Sequence, residues 1–377
     1  MKKVFNFNFR GREIVVEHGE MAKQAHGAVL VRYGDTVILS TAVVAPTANL
    51  LSDFFPLMVL YNEKLYSVGK IPGGFIKREG RPTDAATLAA RMIDRPLRPL
   101  FPEDFRNEVQ VVNTVLSVDK DNSPELTALL GSSLAVSISK IPFNGPIAAV
   151  KVGRVNGEFV INPTVAELEV SDIDLTVAGT KEAINMVEAG AREVSEQDML
   201  EALMFGHEAI KELISFEEEI IKEIGVEKME YPKLEIDDNL KQEVDEFCRD
   251  RIDTSLRIKD KLEKYAAIDK IKEDLTNKYK ELYEDVMKPN DYQELITKVL
   301  LVFNEIEYEI FRNIVVKEHT RADGRRMDEI RPLSTAIDIL PRTHGSAMFT
   351  RGQTQSLATV TLGALGEHQV LDGLSIE

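Results

Sequence analysis

The chain has 377 residues, 44% of them hydrophobic, and a net charge of −17 from 46 Lys and Arg against 63 Asp and Glu. That length can bury the cores of two or three domains and excludes a disordered or fibrous protein, while the acidic balance excludes wrapping of a polyanion over the whole surface. A lone cysteine, Cys248, excludes an internal disulfide framework and a multi-cysteine zinc site and points to a reducing, cytoplasmic setting; no run approaches the roughly 18 apolar residues of a membrane span.

The first residues carry Lys2 and Lys3 but lead into an alternating strand pattern instead of the apolar stretch of a secretory signal. Alternation continues through Glu13–Glu17, Ala28–Val31 and Thr36–Val44, separated by Gly19 and Gly34, which predicts a meandering antiparallel sheet. Asp84–Leu97 reads as a helix, capped by Thr83 or Asp84 behind Pro82 and stopped by Pro99. Two strands, Val109–Val112 and Val115–Val118, precede a small-residue helix through Ala128–Val136. Hairpins follow: Ala148–Val155, an Asn156-Gly157 turn and Phe159–Ile161, then the pair Ile173–Gly179 and Ile184–Glu188. A long helix starts near Ser195. From Gly225 to Gly324 no glycine occurs, and Lys, Glu, Asp, Leu and Ile recur at helical spacing, with Pro232 and Pro289 at helix starts or loops. The expected fold class is α+β: a first core over 1–228, in halves of about 1–143 and 144–228, an all-helical domain over 236–316, and a further segment from 318 to 377.

That last segment repeats the first. At an offset of 318, His26-Gly27 superposes on His344-Gly345, and Gly34, Thr36, Leu39 and Thr41 fall on Gly352, Thr354, Leu357 and Thr359. Six matches in sixteen positions, glycines among them, indicate a duplicated domain whose second copy is incomplete here. A role for His26 and His344 in packing the repeated strand is favoured over catalysis. Residues from about 328 to 374, as strands without covering partners, are expected to be poorly ordered or prone to aggregate.

Charge reverses sign locally. From Glu63 to Arg98 there are eight Lys or Arg against four acids, a balance of +4. The segment Pro72–Pro82 places Phe75, Lys77, Arg78 and Arg81 in a glycine- and proline-bracketed loop, where a ring can stack on a base and cations can meet phosphates. A plain surface turn with an inward-packed Phe75 is the alternative. Arg91, Arg95 and Arg98 follow at i, i+4 and i+7, one helix face suited to an anion. Pairing of Arg95 and Arg98 with Asp94, Glu79 or Glu103 is the competing reading. Near the junction, Arg321 and Arg325, then Arg342 and Arg351, are further exposed cations. No phosphate-binding Gly-x-x-x-x-Gly-Lys-Ser/Thr loop, Gly-x-Ser-x-Gly elbow or paired-histidine zinc motif occurs. Asp35, Asp53 and Asp94 have no assigned role.

The stretches Asp53–Leu57, Gly80-Arg81-Pro82, Ile93–Pro102, Arg321–Arg325 and Leu340–Ala347 resemble the polynucleotide phosphorylase family across essentially the whole chain. The resemblance implies two RNase PH-like cores (ribosomal protein S5 domain 2-like) joined by a helical domain. It also implies a homotrimer that threads single-stranded RNA through a channel and releases nucleoside diphosphates from the 3′ end, with inorganic phosphate as co-substrate and magnesium (Mg2+) as cofactor. RNA degradosome components are the implied protein partners. The family's Phe-Phe-Arg-Arg channel loop corresponds here to Phe75, Ile76, Lys77 and Arg78; Ile76 removes one ring, and Lys77 replaces a forked donor with a point charge. The family's phosphate-binding serines and magnesium-holding acids lie in the second core, past Glu377, and C-terminal KH and S1 RNA-binding modules commonly follow it. The resemblance therefore implies no catalytic or metal residue in this chain, and a product of this length that does not turn over RNA; an RNA-binding and trimer-assembly module is the alternative.

Overall fold

The structure is a computed structural model that describes residues 2–50, 52, 54–367, 373 and 374; Asp53 lies outside them. Contacts divide the chain into two compact units, Met1–Lys233 with Leu371–Glu377, and Leu234–Val370.

The first unit begins with β1 (Lys3–Phe9), β2 (Arg12–His18), β3 (Gly27–Tyr33), β4 (Thr36–Ala48) and β5 (Leu57–Asn62). Helix α1 (Asp84–Leu97), β6 (Asn107–Ser117) and α2 (Pro124–Ile138) follow. Then come β7 (Ala148–Val155), β8 (Glu158–Ile161), a short α3 (Val165–Val170), β9 (Ile173–Gly179), β10 (Ile184–Ala191) and the long α4 (Glu196–Ile224). One sheet has the order β1-β2-β3-β4-β6-β5 and the other β10-β9-β7-β8. Alternation explains the strands: Ile14 and Val16 of β2, Val29 and Val31 of β3, and Val109 and Val111 of β6 all point into one buried core. Helix α2 packs against both sheets, and almost every one of its residues is buried. Small residues permit this: Gly131 lies over Ser40, and Gly27 of β3 lies against the Ala135 carbonyl. Each fully buried leucine on it, such as Leu129 and Leu134, contributes about 1.5–3 kcal/mol of burial.

Two expectations need correction. The strands anticipated at 109–112 and 115–118 are one strand, β6, because Asn113 keeps the alternation and is buried with its Oδ1 accepting from the Ser40 and Ser132 hydroxyls at 2.6 and 2.9 Å. The first sheet is not purely an antiparallel meander: β5, which the sequence pattern does not announce, runs parallel to β6.

The core of this unit holds one unsatisfied acid. Both carboxylate oxygens of Glu217 on α4 are buried without a hydrogen bond of normal geometry among the described residues, and burial, only partly opposed by the nearby Ser133 hydroxyl, pushes the carboxyl well above its usual range. The folded chain therefore keeps this proton at pH values where the unfolded chain has lost it, so stability is fully present below about pH 4.3 and declines as pH rises. Glu217→Gln should remove up to about 1.4 kcal/mol per pH unit of that decline and make the protein more stable at pH 8. Denaturant unfolding at pH 5 and pH 8 reads the difference; a pH dependence untouched by the substitution would contradict the assignment.

The second unit contains α5 (Asp238–Leu256), α6 (Lys261–Tyr283) and α7 (Pro289–Glu318). Asp237 and Asp260 cap the first two through backbone amides, and Pro289 starts the third. Their apolar faces close on a core that includes Ile252, Leu275, Phe303 and Cys248, whose thiol burial pushes up to about 11, leaving it unreactive. Beyond them β11 (Leu333–Ile337), β12 (Gly345–Arg351) and β13 (Thr354–Val360) form an antiparallel sheet. Its strands do form, but Leu333, Ile337, Phe349, Leu357 and Val360 are exposed.

The duplication is visible in the hydrogen bonding. Pairing of β3 with β4 runs from Gly27↔Ala42 to Tyr33↔Thr36, and pairing of β12 with β13 from Gly345↔Val360 to Arg351↔Thr354. Every partner is displaced by the same 318 residues. The hairpin glycines Gly34 and Gly352 both adopt positive φ, 58° and 62°.

Candidate nucleic-acid interface

The loop between β5 and α1 is held at its base and open at its tip. Glu79 accepts the Leu65 backbone N–H at 3.2 Å, and this bond with that of its own amide holds its carboxyl below the usual range. At the other end the Thr83 hydroxyl donates to Glu63 at 2.8 Å while accepting the Ala86 N–H at 2.9 Å, which makes Thr83 the cap of α1. Between these anchors a turn is closed by the Lys77 N–H donating to the Gly74 carbonyl at 3.0 Å, with Lys77 at φ 51°.

Phe75, at the tip, is 101% exposed, so it does not pack inward. Lys77, Arg78 and Arg81 around it are exposed, and their side chains have no hydrogen-bond or ion-pair partner among the described residues. The ring therefore keeps both apolar faces in water, uncovered by any described residue. Three cations free of carboxylates beside it form a surface that a base and its flanking phosphates satisfy together.

On α1 the three arginines separate. Arg91 and Arg95 are exposed and unpaired among the described residues. Arg98, grouped with them by spacing, has a different duty. Its guanidinium donates to both Asp94 oxygens at 2.7 and 2.9 Å and to the Phe55 and Leu57 carbonyls at 3.0 and 3.1 Å. It therefore ties α1 to the start of β5, the ion-pair alternative that the sequence left open for Arg98, whereas Arg91 and Arg95 keep their guanidinium groups free among the described residues. Asp94 thereby gains its role. Asp35 sits in the β3–β4 turn, where its N–H lies 3.5 Å from Asp119.

The junction cations divide in the same way. Arg321 donates to the Met327 carbonyl, and Arg325 donates to Asp323 at 2.9 Å and to the Glu329 carbonyl at 2.5 Å, so both mainly build their own turn. Arg342 and Arg351 remain unpaired among the described residues. His26 and His344 are equivalent: each Nδ1 accepts a backbone N–H, from Val44 at 3.0 Å and from Leu362 at 2.9 Å. Burial lowers the His26 pKa, which suits a neutral acceptor holding the end of a strand. No group of three or more His, Cys, Asp or Glu among the described residues is placed to hold a metal ion.

Sequence reasoning missed Lys151 and Asp174, diagonal neighbours on β7 and β9 that form an ion pair of 2.9 Å. The available signal was a charge inside each of two otherwise apolar strands, Ala-Ala-Val-Lys-Val and Ile-Asp-Leu-Thr-Val.

Three family models match in succession. One described as "3′ exoribonuclease family, domain 1" covers residues 10–142, its domain 2 covers 145–209, and "Polyribonucleotide nucleotidyltransferase, RNA binding domain" covers 239–326. The polyribonucleotide nucleotidyltransferase of Enterococcus faecalis is 54% identical over 376 residues, 100% of this chain and 53% of its own length. Those of Anoxybacillus flavithermus and Geobacillus kaustophilus are each 56% identical over 376 residues, with 52% and 51% of their lengths covered. The chain belongs to the polyribonucleotide nucleotidyltransferase family. It spans about half the length of the curated relatives it matches. The first unit accordingly carries the two RNase PH-like domains and the second the helical domain of this family. A solved structure of rice (Oryza sativa) Rrp46 aligns with 59% of the chain at 15% identity and a TM-score of 0.44, too distant to add to this assignment. No helix among the described residues is long and apolar enough to cross a membrane.

Proposed function

We propose that this chain is the RNA-gripping part of a phosphorolytic 3′-to-5′ exoribonuclease that degrades mRNA in the cytoplasm, working as a homotrimeric ring on single-stranded RNA and releasing nucleoside diphosphates. The observation that carries the reading is the fully exposed ring of Phe75 among the unpaired cations Lys77, Arg78 and Arg81. Phe75 offers a stacking face to a base, and the three cations neutralise the phosphates on either side of it. Stacking and charge neutralisation ignore base identity, so the grip suits processive degradation of any sequence. Three copies around a ring would present three such tips to one strand; Arg342 and Arg351, in the second unit, are proposed as separate RNA contacts.

Inorganic phosphate is the nucleophile of this reaction, and magnesium, when bound, stabilises charge on the transferring phosphoryl group. No three His, Cys, Asp or Glu among the described residues gather into a metal site; the role we assign to this chain's own residues is to bind and orient RNA. The phosphate and metal groups are assigned to the half of the relatives' length that this chain does not span.

Photocrosslinking tests the grip directly. Oligo(U) carrying 4-thiouridine should crosslink to the tryptic peptide containing Phe75, and Phe75→Ala should abolish that adduct. Crosslinks confined to α5–α7 would move the grip to the helical domain and overturn the reading.

A further inference from the structure

A hollow of about 970 Å³ opens in the first unit between α1, the start of α2 and the strands β7, β9 and β10. The Asn185 amide fixes its back by donating to the Pro96 carbonyl at 3.0 Å, which ties β10 to the end of α1. The ionisable residues lining it are not equivalent. Arg98 is consumed by Asp94 at 2.7 Å, Lys151 by Asp174 at 2.9 Å, and Glu125 accepts the Ser123 hydroxyl at 2.7 Å. The side chains of Arg91, Arg95 and Glu188 have no hydrogen-bond or ion-pair partner among the described residues. In a protein of net charge −17, two arginines one turn apart that no carboxylate among the described residues engages, the neighbouring Asp94 being held by Arg98, are an unsatisfied anion site.

We propose that this hollow binds a free nucleoside diphosphate, as a site separate from the RNA grip. Arg91 and Arg95 lie one turn apart on α1, about 6 Å along its axis, so their planar forks converge on neighbouring phosphates. Glu188 stands across the hollow as an acceptor for ribose hydroxyls. The exposed Leu88 and the partly buried Met92 supply an apolar wall for the base. The size fits: small-molecule sites of about 300–1,000 Å³ combine an apolar lining with a few convergent polar groups. Phosphate alone would use only the arginines, whereas a nucleotide uses all three features. The proposal rests on the hollow and its charges and holds whether or not Phe75 grips RNA.

Isothermal titration calorimetry of the 377-residue chain with ADP, inorganic phosphate and oligo(A), in EDTA without metal, tests it. We expect ADP to bind once per chain and more tightly than phosphate, Arg91→Ala with Arg95→Ala to weaken it at least tenfold, and Glu188→Gln to weaken ADP several-fold while leaving phosphate unchanged. The arginines are exposed, so an unchanged melting temperature will show that the double variant is folded. Absence of ADP binding, ADP affinity indifferent to the double variant, or phosphate binding as tightly as ADP would each overturn the proposal. It would also fall if the double variant weakened oligo(A) alone, which would return both arginines to the RNA path.

Discussion

Replacing Gly27 with alanine should destabilise the first unit by about 3 kcal/mol, near the upper end of ordinary overpacking, and lower its melting temperature by roughly 6–12 °C. A Cβ there would sit 1.9 Å from the Ala135 carbonyl oxygen and 3.0 Å from the Ser139 Cβ. The obstacle is the backbone of α2, which touches both sheets and cannot retreat from one without pressing on the other. Gly345 is its counterpart in the repeat, and a Cβ there would meet nothing closer than the Val360 Cβ at 3.7 Å. Gly345→Ala should therefore be neutral in this chain, or slightly stabilising because glycine weakens a strand interior. Thermal unfolding of the two variants side by side checks the pair; equal tolerance would mean that α2 does not constrain Gly27.

Removing the ring of Phe75 should weaken RNA binding roughly 5- to 150-fold, the equivalent of about 1–3 kcal/mol for one stacked base. Fluorescence anisotropy with labelled oligo(A) measures this, and Phe75→Tyr, which keeps the stacking face, should retain most of the affinity. Replacing Lys77, Arg78 and Arg81 together with alanine should act through salt. Each phosphate contact in a single strand contributes about 0.7 to the slope of log affinity against log salt, so three lost contacts should reduce it by about 2. The loop lies on the surface between the anchors Glu79 and Thr83, so these variants should fold as the parent does. A slope unchanged in the triple variant would mean that these cations do not touch phosphate.

The sequence was most legible where local rules and packing agree. Helix α1 spans Asp84–Leu97 as read, because Thr83 caps it and Pro99 ends it. Strands β7 and β9 match their anticipated bounds because both lie in a buried sheet that enforces apolar runs. The repeat read from six matching residues reappears as identical strand register, since a glycine that permits a hairpin turn and a histidine that accepts a backbone amide mark specific backbone positions. What stayed hidden depends on contacts distant in sequence. Helical spacing put Arg98 with Arg91 and Arg95, but the carbonyls of Phe55 and Leu57, some forty residues earlier, decide its role. The parallel pairing of β5 with β6 spans α1 and has no local signal. Whether Phe75 faces inward or outward depends on whether the folded chain provides a cavity to receive it, and no described residue covers it.

The most direct test of the central claim is phosphate-dependent release of nucleoside diphosphate from poly(A) with magnesium, using this 377-residue chain beside one extended through a complete second core. The account predicts turnover by the extended chain alone, with its rate falling when Phe75, Lys77 and Arg78 are replaced. Turnover by the 377-residue chain would place the phosphate and metal chemistry in the first core and contradict the assignment of these residues to RNA gripping alone.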